Sequence, residues 1–336
     1  MDWVEAIGFQ KEAVHTGALC HLLGGAHGRD VARALTGDRR ISGVGNVRPE
    51  AALRGGSRRA IDLAANIHME GEEDGCLAIE VKVDAAWRHE QLTNSVPSHC
   101  HGVLVAAGYT ALAVDDRDLA AIEGYRWPWR RVGPDALGGI VRDHAAGDRE
   151  LRAYANRLDQ EARDQADAVQ AVAAERGVTW GRAPRSLGHW AYFSEVVRNR
   201  GDIAEWERKS LISGALMTLW VNKGGHSGDY LEFMGEGERR SLCVKTWAAP
   251  GSTRLRERRE RLIELFAETA GQGPTRQPSA KAKTCTAVRF PLDGKLPGEA
   301  AALVDELVAR LESKSTQAAE KWGRRVRSAD LRCATR

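Results

Sequence analysis

Three charged residues stand inside apolar, strand-like sequence: Asp62 in "RRAIDLAANIH", and Glu80 and Lys82 in "CLAIEVKV". Burying an unpaired carboxylate or ammonium costs on the order of several kcal/mol. Side chains two residues apart on a strand leave the same face, so Glu80 and Lys82 share theirs. A hairpin of the two segments brings Asp62 beside Glu80, giving two carboxylates and one ammonium. Carboxylates gathered in a low dielectric repel unless a proton or a cation lies between them. Hard oxygen ligands suit Mg²⁺, which keeps several waters and shares them with a phosphate. A lysine next to that ion can orient or deprotonate the attacking water, or stabilise charge that builds on phosphate. The chemistry open to these residues is metal-assisted hydrolysis of a phosphate ester.

The surrounding pattern supplies the elements that would hold them. "QKEAVHTGALCHLLGG" has Val14, Ala18, Leu19, Leu22 and Leu23 at helical spacing, and "GRDVARALTG" ends at Gly37. Three extended segments follow, "ISGVGNVRPEAAL", "RRAIDLAANIH" and "CLAIEVKV", the last two joined by the acidic turn "MEGEEDG", whose charges read as solvated. "DAAWRHEQLTNS" is a helix that stops before Pro97, and "GVLVAAG" and "TALAVD" read as further strand. The order of helix, three strands, helix and strand predicts a mixed sheet with helices packed on it.

This arrangement, Asp and then Glu-x-Lys eighteen residues on, resembles the PD-(D/E)XK nuclease superfamily. Within it the chain is similar to the bacterial group with an N-terminal Glu helix, an "LLxP…HG" stretch, and an Asp…ExK…QL core. Glu12, "HTGALCHLL", His27-Gly28, Asp62, Glu80-x-Lys82 and "EQL" at 90–92 carry the likeness over residues 10 to 115. The chain departs from the pattern in three places: Ile61 stands where a Pro often precedes the Asp, Ser95 where some relatives have Tyr, and "LLGG" replaces an "LLDP"-like turn. The resemblance implies a restriction-endonuclease-like α/β (α+β) fold. It implies Mg²⁺, with Mn²⁺ as substitute, ligated by Asp62 and Glu80 and supported by Glu12. Lys82 would be catalytic, and Gln91 would join Glu12 in a supporting role. It also implies a nuclease, an endonuclease acting on DNA, and raises a part in antiviral host defence.

Each residue also has a plain structural reading. Glu80 and Lys82 suit a cross-strand ion pair on an exposed sheet face, and Asp62 suits a pair with Arg58 or Arg59. Glu12 on a first helical turn suits the helix dipole. His15, His21 and His27 read as surface or packing residues rather than ligands. In "SHCHGV" the alternation of a strand sends neighbours to opposite faces, so His99, Cys100 and His101 are not expected to grip one metal. A nucleic-acid-binding protein that kept the fold and lost catalysis is the alternative function.

Composition bounds the rest. At 336 residues the chain exceeds what one core of about 250–300 residues usually covers. A net charge of +3 permits a polyanionic partner without requiring one. The six cysteines form no CxxC pair and read as free thiols of a cytoplasmic protein. No export signal or membrane-length apolar run is present, and no glycine-rich phosphate loop, GxSxG or HExxH. We expect a nuclease core over 1–117, a helical connector over 118–180 built on the long charged helix from residue 148, and a second α/β unit over 181–336. That last part would select substrate or pair protomers into a homo-oligomer, with the helix "RLRERRERL" as its basic surface. Its strand "SLCVKTW" echoes "LAIEVKV", with Cys243 in place of the glutamate and Asp229 upstream.

Overall fold

The computed structural model describes residues 8–9, 11–51, 60–83, 92–93, 95–114, 116–120, 122–145, 147–173, 187–200, 207–211, 214–224, 227–236, 239–249, 254–269 and 282–313. Apolar spacing of 3.6 residues makes α1 (Glu12–Gly24) and α2 (Gly28–Thr36) pack one face inward. Gly28 opens α2 because a Cβ there would lie 2.1 Å from the carbonyl oxygen of Leu23. Gly37, at φ 74°, closes the helix in the left-handed region.

Five strands then form one mixed sheet in chain order: β1 (Ile41–Ala51), β2 (Ile61–Met69), β3 (Gly75–Val83), β4 (Cys100–Ala107) and β5 (Arg130–Val132). The first three are antiparallel, and β3, β4 and β5 run parallel. β4 is buried at every position, which explains its uninterrupted apolar run. Alternation sorts the sheet into two cores. Leu63, Leu77, Ile79, Val81, Val103 and Val105 pack with the helices α1, α2, α5 (Pro134–His144) and α6 (Arg149–Ala173). Ala64, Ala78 and Leu104 face a second cluster with Leu92, Val96 and Trp129.

Several expectations change. "TALAVD" is not a strand: Tyr109–Ala113 forms the short helix α3, followed by α4 (Asp116–Ala120). Much of the segment read as a connector packs, among the described residues, into the first core. α6 buries Leu151, Tyr154, Ala155 and Leu158, and Tyr154 bonds His15 of α1 at 2.7 Å. Its charges hid this, since the apolar stripe is narrow beside its polar faces. The acidic turn is not simply solvated, because Glu72 pairs with Arg40 and Arg126, and Asp74 with His68. Two of the six cysteines are not free thiols: Cys76 and Cys100, opposite each other on β3 and β4, form a disulfide. Cys20, Cys243 and Cys285 are free, and Cys333 lies outside the described residues.

The chain divides into two compact units, 1–194 with 208–210, and 195–207 with 211–336. The division runs through α7 (Leu187–Arg200) and β6 (Glu207–Leu211). In the second unit β7 (Gly214–Gly224), β8 (Ser227–Glu236), β9 (Arg239–Ala248) and β10 (Thr284–Pro291) lie side by side, each pair antiparallel. α8 (Arg254–Leu265) and helix α9 (297–313) complete it. Among the described residues no helix is long and apolar enough to cross a membrane.

Candidate active site

The register of β2 on β3 pairs Leu63 with Ile79, so one further step sets Asp62 against Glu80. There the backbone ladder gives way to a side chain: the Val81 N–H donates to Asp62 Oδ2 at 2.8 Å. Glu80 and Lys82 share the face of Ala78, opposite to Ile79 and Val81. The Lys82 ammonium lies 2.6 Å from Glu80 Oε1, 3.6 Å from Glu12 Oε1 and 3.9 Å from Asp62 Oδ2. It also donates to the Val81 carbonyl at 3.1 Å. Glu12 reaches this group from the first turn of α1 and accepts a hydrogen bond from the Val83 N–H. Three elements therefore deliver three carboxylates to one lysine.

Exposure grades the site. Glu80 and Lys82 side chains are 5% and 9% exposed, Asp62 and Glu12 27% and 36%, so the first pair forms a floor and the second a rim. Burial pushes the Glu80 carboxyl above its ordinary pKa; the Lys82 ammonium opposes this, and the Asp62 carboxylate adds to it. Glu12 is raised for the same reasons, burial first. Burial alone would lower the Lys82 pKa, but its carboxylate neighbours, Glu80 foremost, outweigh that and hold it above normal. With all groups ionised, three negative charges face one positive charge. That imbalance favours protonation of Glu80 and Glu12, or a cation between the carboxylates. The rim and floor oxygens are the hard donors that Mg²⁺ and Mn²⁺ take.

Asp62, Glu80, Lys82 and Glu12 are thus brought together. Gln91 lies outside the described residues, as do Arg58 and Arg59. His15 is a core residue, bonded to Tyr154 and to the Phe9 carbonyl at 2.9 Å. His21 is exposed beside Asp148, and His27 stacks on His144. His101 is buried and stacks on Trp127 at 3.9 Å; burial lowers its pKa to about 4 against the pull of Asp38. What sequence reasoning did not find is the backbone's part: Val81 and Val83 N–H groups aim Asp62 and Glu12, and no residue type signals that.

The echo in the second unit has a different geometry. Lys245 pairs with Glu232 at 2.5 Å across β8 and β9, and Cys243 sits opposite Glu232. Asp229 points to the other face, where Arg258 of α8 grips it at 2.6 and 2.8 Å. Lys82 lies on the sheet face that Leu92 and Val96 cover, whereas Lys245 lies on the face away from the α8 contact. Among the described residues Lys245 has one carboxylate partner there, and Arg289 opposite Cys243 on β10 adds positive rather than negative charge.

No protein-family model matches the chain, and neither the curated proteins nor the solved structures yield a match.

Proposed function

We propose that the protein is a divalent-metal-dependent nuclease of the PD-(D/E)XK kind, hydrolysing phosphodiester bonds, with DNA as substrate. The observation that supports this is the excess of carboxylate around Lys82: Glu80, Glu12 and Asp62 all within 4 Å of its ammonium. A purely structural ion pair needs one carboxylate, and a second and third at its rim only add repulsion around a buried pair. Asp62, Glu80 and Glu12 would hold Mg²⁺, which when bound polarises a phosphate oxygen and acidifies a water. The carboxylate neighbours raise the Lys82 pKa, which favours a role as hydrogen-bond donor and positive charge. From the floor it orients the attacking water or meets charge developing on phosphate. Glu12 positions Lys82 and closes the rim.

The second unit would direct the reaction, since a metal-and-phosphate site reads backbone rather than base identity. The basic helix gives it less surface than its sequence promises. Arg258 is committed to Asp229 and Arg259 is buried, while the exposed Arg254, Arg256 and Arg261 are interleaved with Glu257 and Glu260.

The test is incubation of the purified chain with plasmid, linear and single-stranded DNA and with RNA, in Mg²⁺, Mn²⁺ or EDTA. Cleavage is expected with metal alone and is expected to vanish in Asp62→Asn and Glu80→Gln. Full activity in EDTA would refute the carboxylate account. Metal-independent binding without cleavage would favour the inactive nucleic-acid-binding alternative.

A further inference from the structure

At the other end of β3 lies a second group of metal-ligating atoms, built from different chemistry. The Sγ atoms of Cys76 and Cys100 and a ring nitrogen of His99 all fall within 4.8 Å of one another. Parallel pairing sets Cys76 directly opposite Cys100, with Cα atoms 4.6 Å apart. His99 stands in the turn just before β4, so strand alternation does not turn it away. That alternation removes only His101, whose ring stacks on Trp127. Cys100 is buried, Cys76 half-buried and His99 exposed, so the group opens to solvent along one side.

We infer that Cys76, Cys100 and His99 form a redox-gated soft-metal site, closed in the disulfide state and able to take one Zn²⁺ when reduced. Two thiolates at the usual Zn–S distance stand about 3.8 Å apart in a tetrahedron, and an imidazole nitrogen lies slightly closer. The three ligand atoms already lie within 4.8 Å of one another, so reduction, which lets the two sulfurs separate to the tetrahedral spacing, leaves them close enough to share one ion. Three protein ligands leave the fourth position to water. Binding releases the two thiol protons. Closure is thiol–disulfide exchange with a small-molecule disulfide. The Cys76 thiolate attacks one sulfur of that reagent and expels the other as a thiolate, leaving a mixed disulfide. The Cys100 thiolate then attacks Cys76 Sγ and expels the second thiolate. Two electrons pass from the cysteines to the reagent, which departs as two thiols carrying the two protons.

This site and the carboxylate cluster share β3 but not ligands. Cys76 and Glu80 are four residues apart, about 13 Å along the strand. The inference therefore stands or falls apart from the nuclease reading.

Its test uses Co²⁺ as a coloured surrogate for Zn²⁺ in the full chain. After reduction and anaerobic removal of the reductant, one equivalent should produce a sulfur-to-cobalt charge-transfer band that Zn²⁺ abolishes. Oxidised glutathione should erase the band, and mass mapping of non-reduced peptides should then recover the Cys76–Cys100 link. Cys76→Ser and Cys100→Ser should each lose the band. His99→Ala should keep sulfur ligation with at least tenfold weaker affinity, and Asp62→Asn should leave the band unchanged. Absence of the band in the reduced wild-type chain would overturn the inference, whether or not the variants fold. So would a band that survives in both cysteine variants, which would place the metal on Cys20, Cys243, Cys285 or Cys333.

Discussion

Replacing Lys82 by methionine keeps most of the side-chain volume and removes the one cation that faces Glu80, Glu12 and Asp62. Coulomb attraction falls as the inverse of distance, so the 2.6 Å Glu80 contact supplies the largest share, with the contacts at 3.6 and 3.9 Å each about two-thirds as strong. Stripping the partner from a buried charge costs about 3–5 kcal/mol. In a unit of this size that is a fall in melting temperature on the order of 10 °C. The penalty must depend on pH. Glu80 and Glu12 already have raised folded-state pKa values. Such groups contribute their stability in full below the unfolded value of 4.5, and lose it as pH rises through the folded value. Loss of the ammonium raises both further, so the difference between variant and wild type should be largest at pH 8 and shrink at pH 5. Calorimetry of both chains at the two pH values, with EDTA and with Mg²⁺, reads this directly, because other titrating groups cancel in the difference. Added Mg²⁺ should recover much of the loss by replacing the missing positive charge. A penalty below about 1 kcal/mol that does not change with pH, the signature of a surface pair, would refute the reasoning.

The same raised carboxyls make protons compete with metal, so calorimetric affinity for Mn²⁺ should be weaker at pH 5 than at pH 8; equal affinity would remove Glu80 and Glu12 from the ligand set. Tyr154→Phe deletes the 2.7 Å bond to His15 and should cost about 1–3 kcal/mol in denaturant unfolding, while leaving metal affinity untouched. Charge reversal at Arg254 and Arg261 should weaken DNA binding and flatten its salt dependence; unchanged binding and slope would mark the exposed side of α8 as merely solvated.

Much of the site was legible because its signal is local. Asp62, Glu80 and Lys82 break apolar runs, and the period of two fixes which charges share a face. Glu12 was legible only through a resemblance, since nothing in its own helix says that its carboxylate reaches the end of β3. The role of α6 was hidden by composition: twenty-five residues rich in Arg, Asp and Gln read as solvated, although Tyr154 and Leu158 are among the best-buried side chains of the first core. The Cys76–Cys100 contact depends on the parallel register of β3 and β4, a long-range pairing that spacing in the chain does not encode. "TALAVD" shows the limit of short apolar runs, which suit a strand or a helical turn equally until the chain around them is placed.

The hydrogen bond from Val81 to Asp62 has a consequence for how this carboxylate can be replaced. Oδ2 serves as the last rung of the β2–β3 pairing. An asparagine at this position would therefore be orientated by the backbone: its carbonyl oxygen must accept from the Val81 N–H, since an amide NH₂ facing that donor would leave both without an acceptor. The NH₂ group then takes the place of Oδ1. Asp62→Asn thus does more than delete a charge. It replaces the second acceptor oxygen with two donor protons, and the strand itself prevents the side chain from flipping to restore an acceptor there.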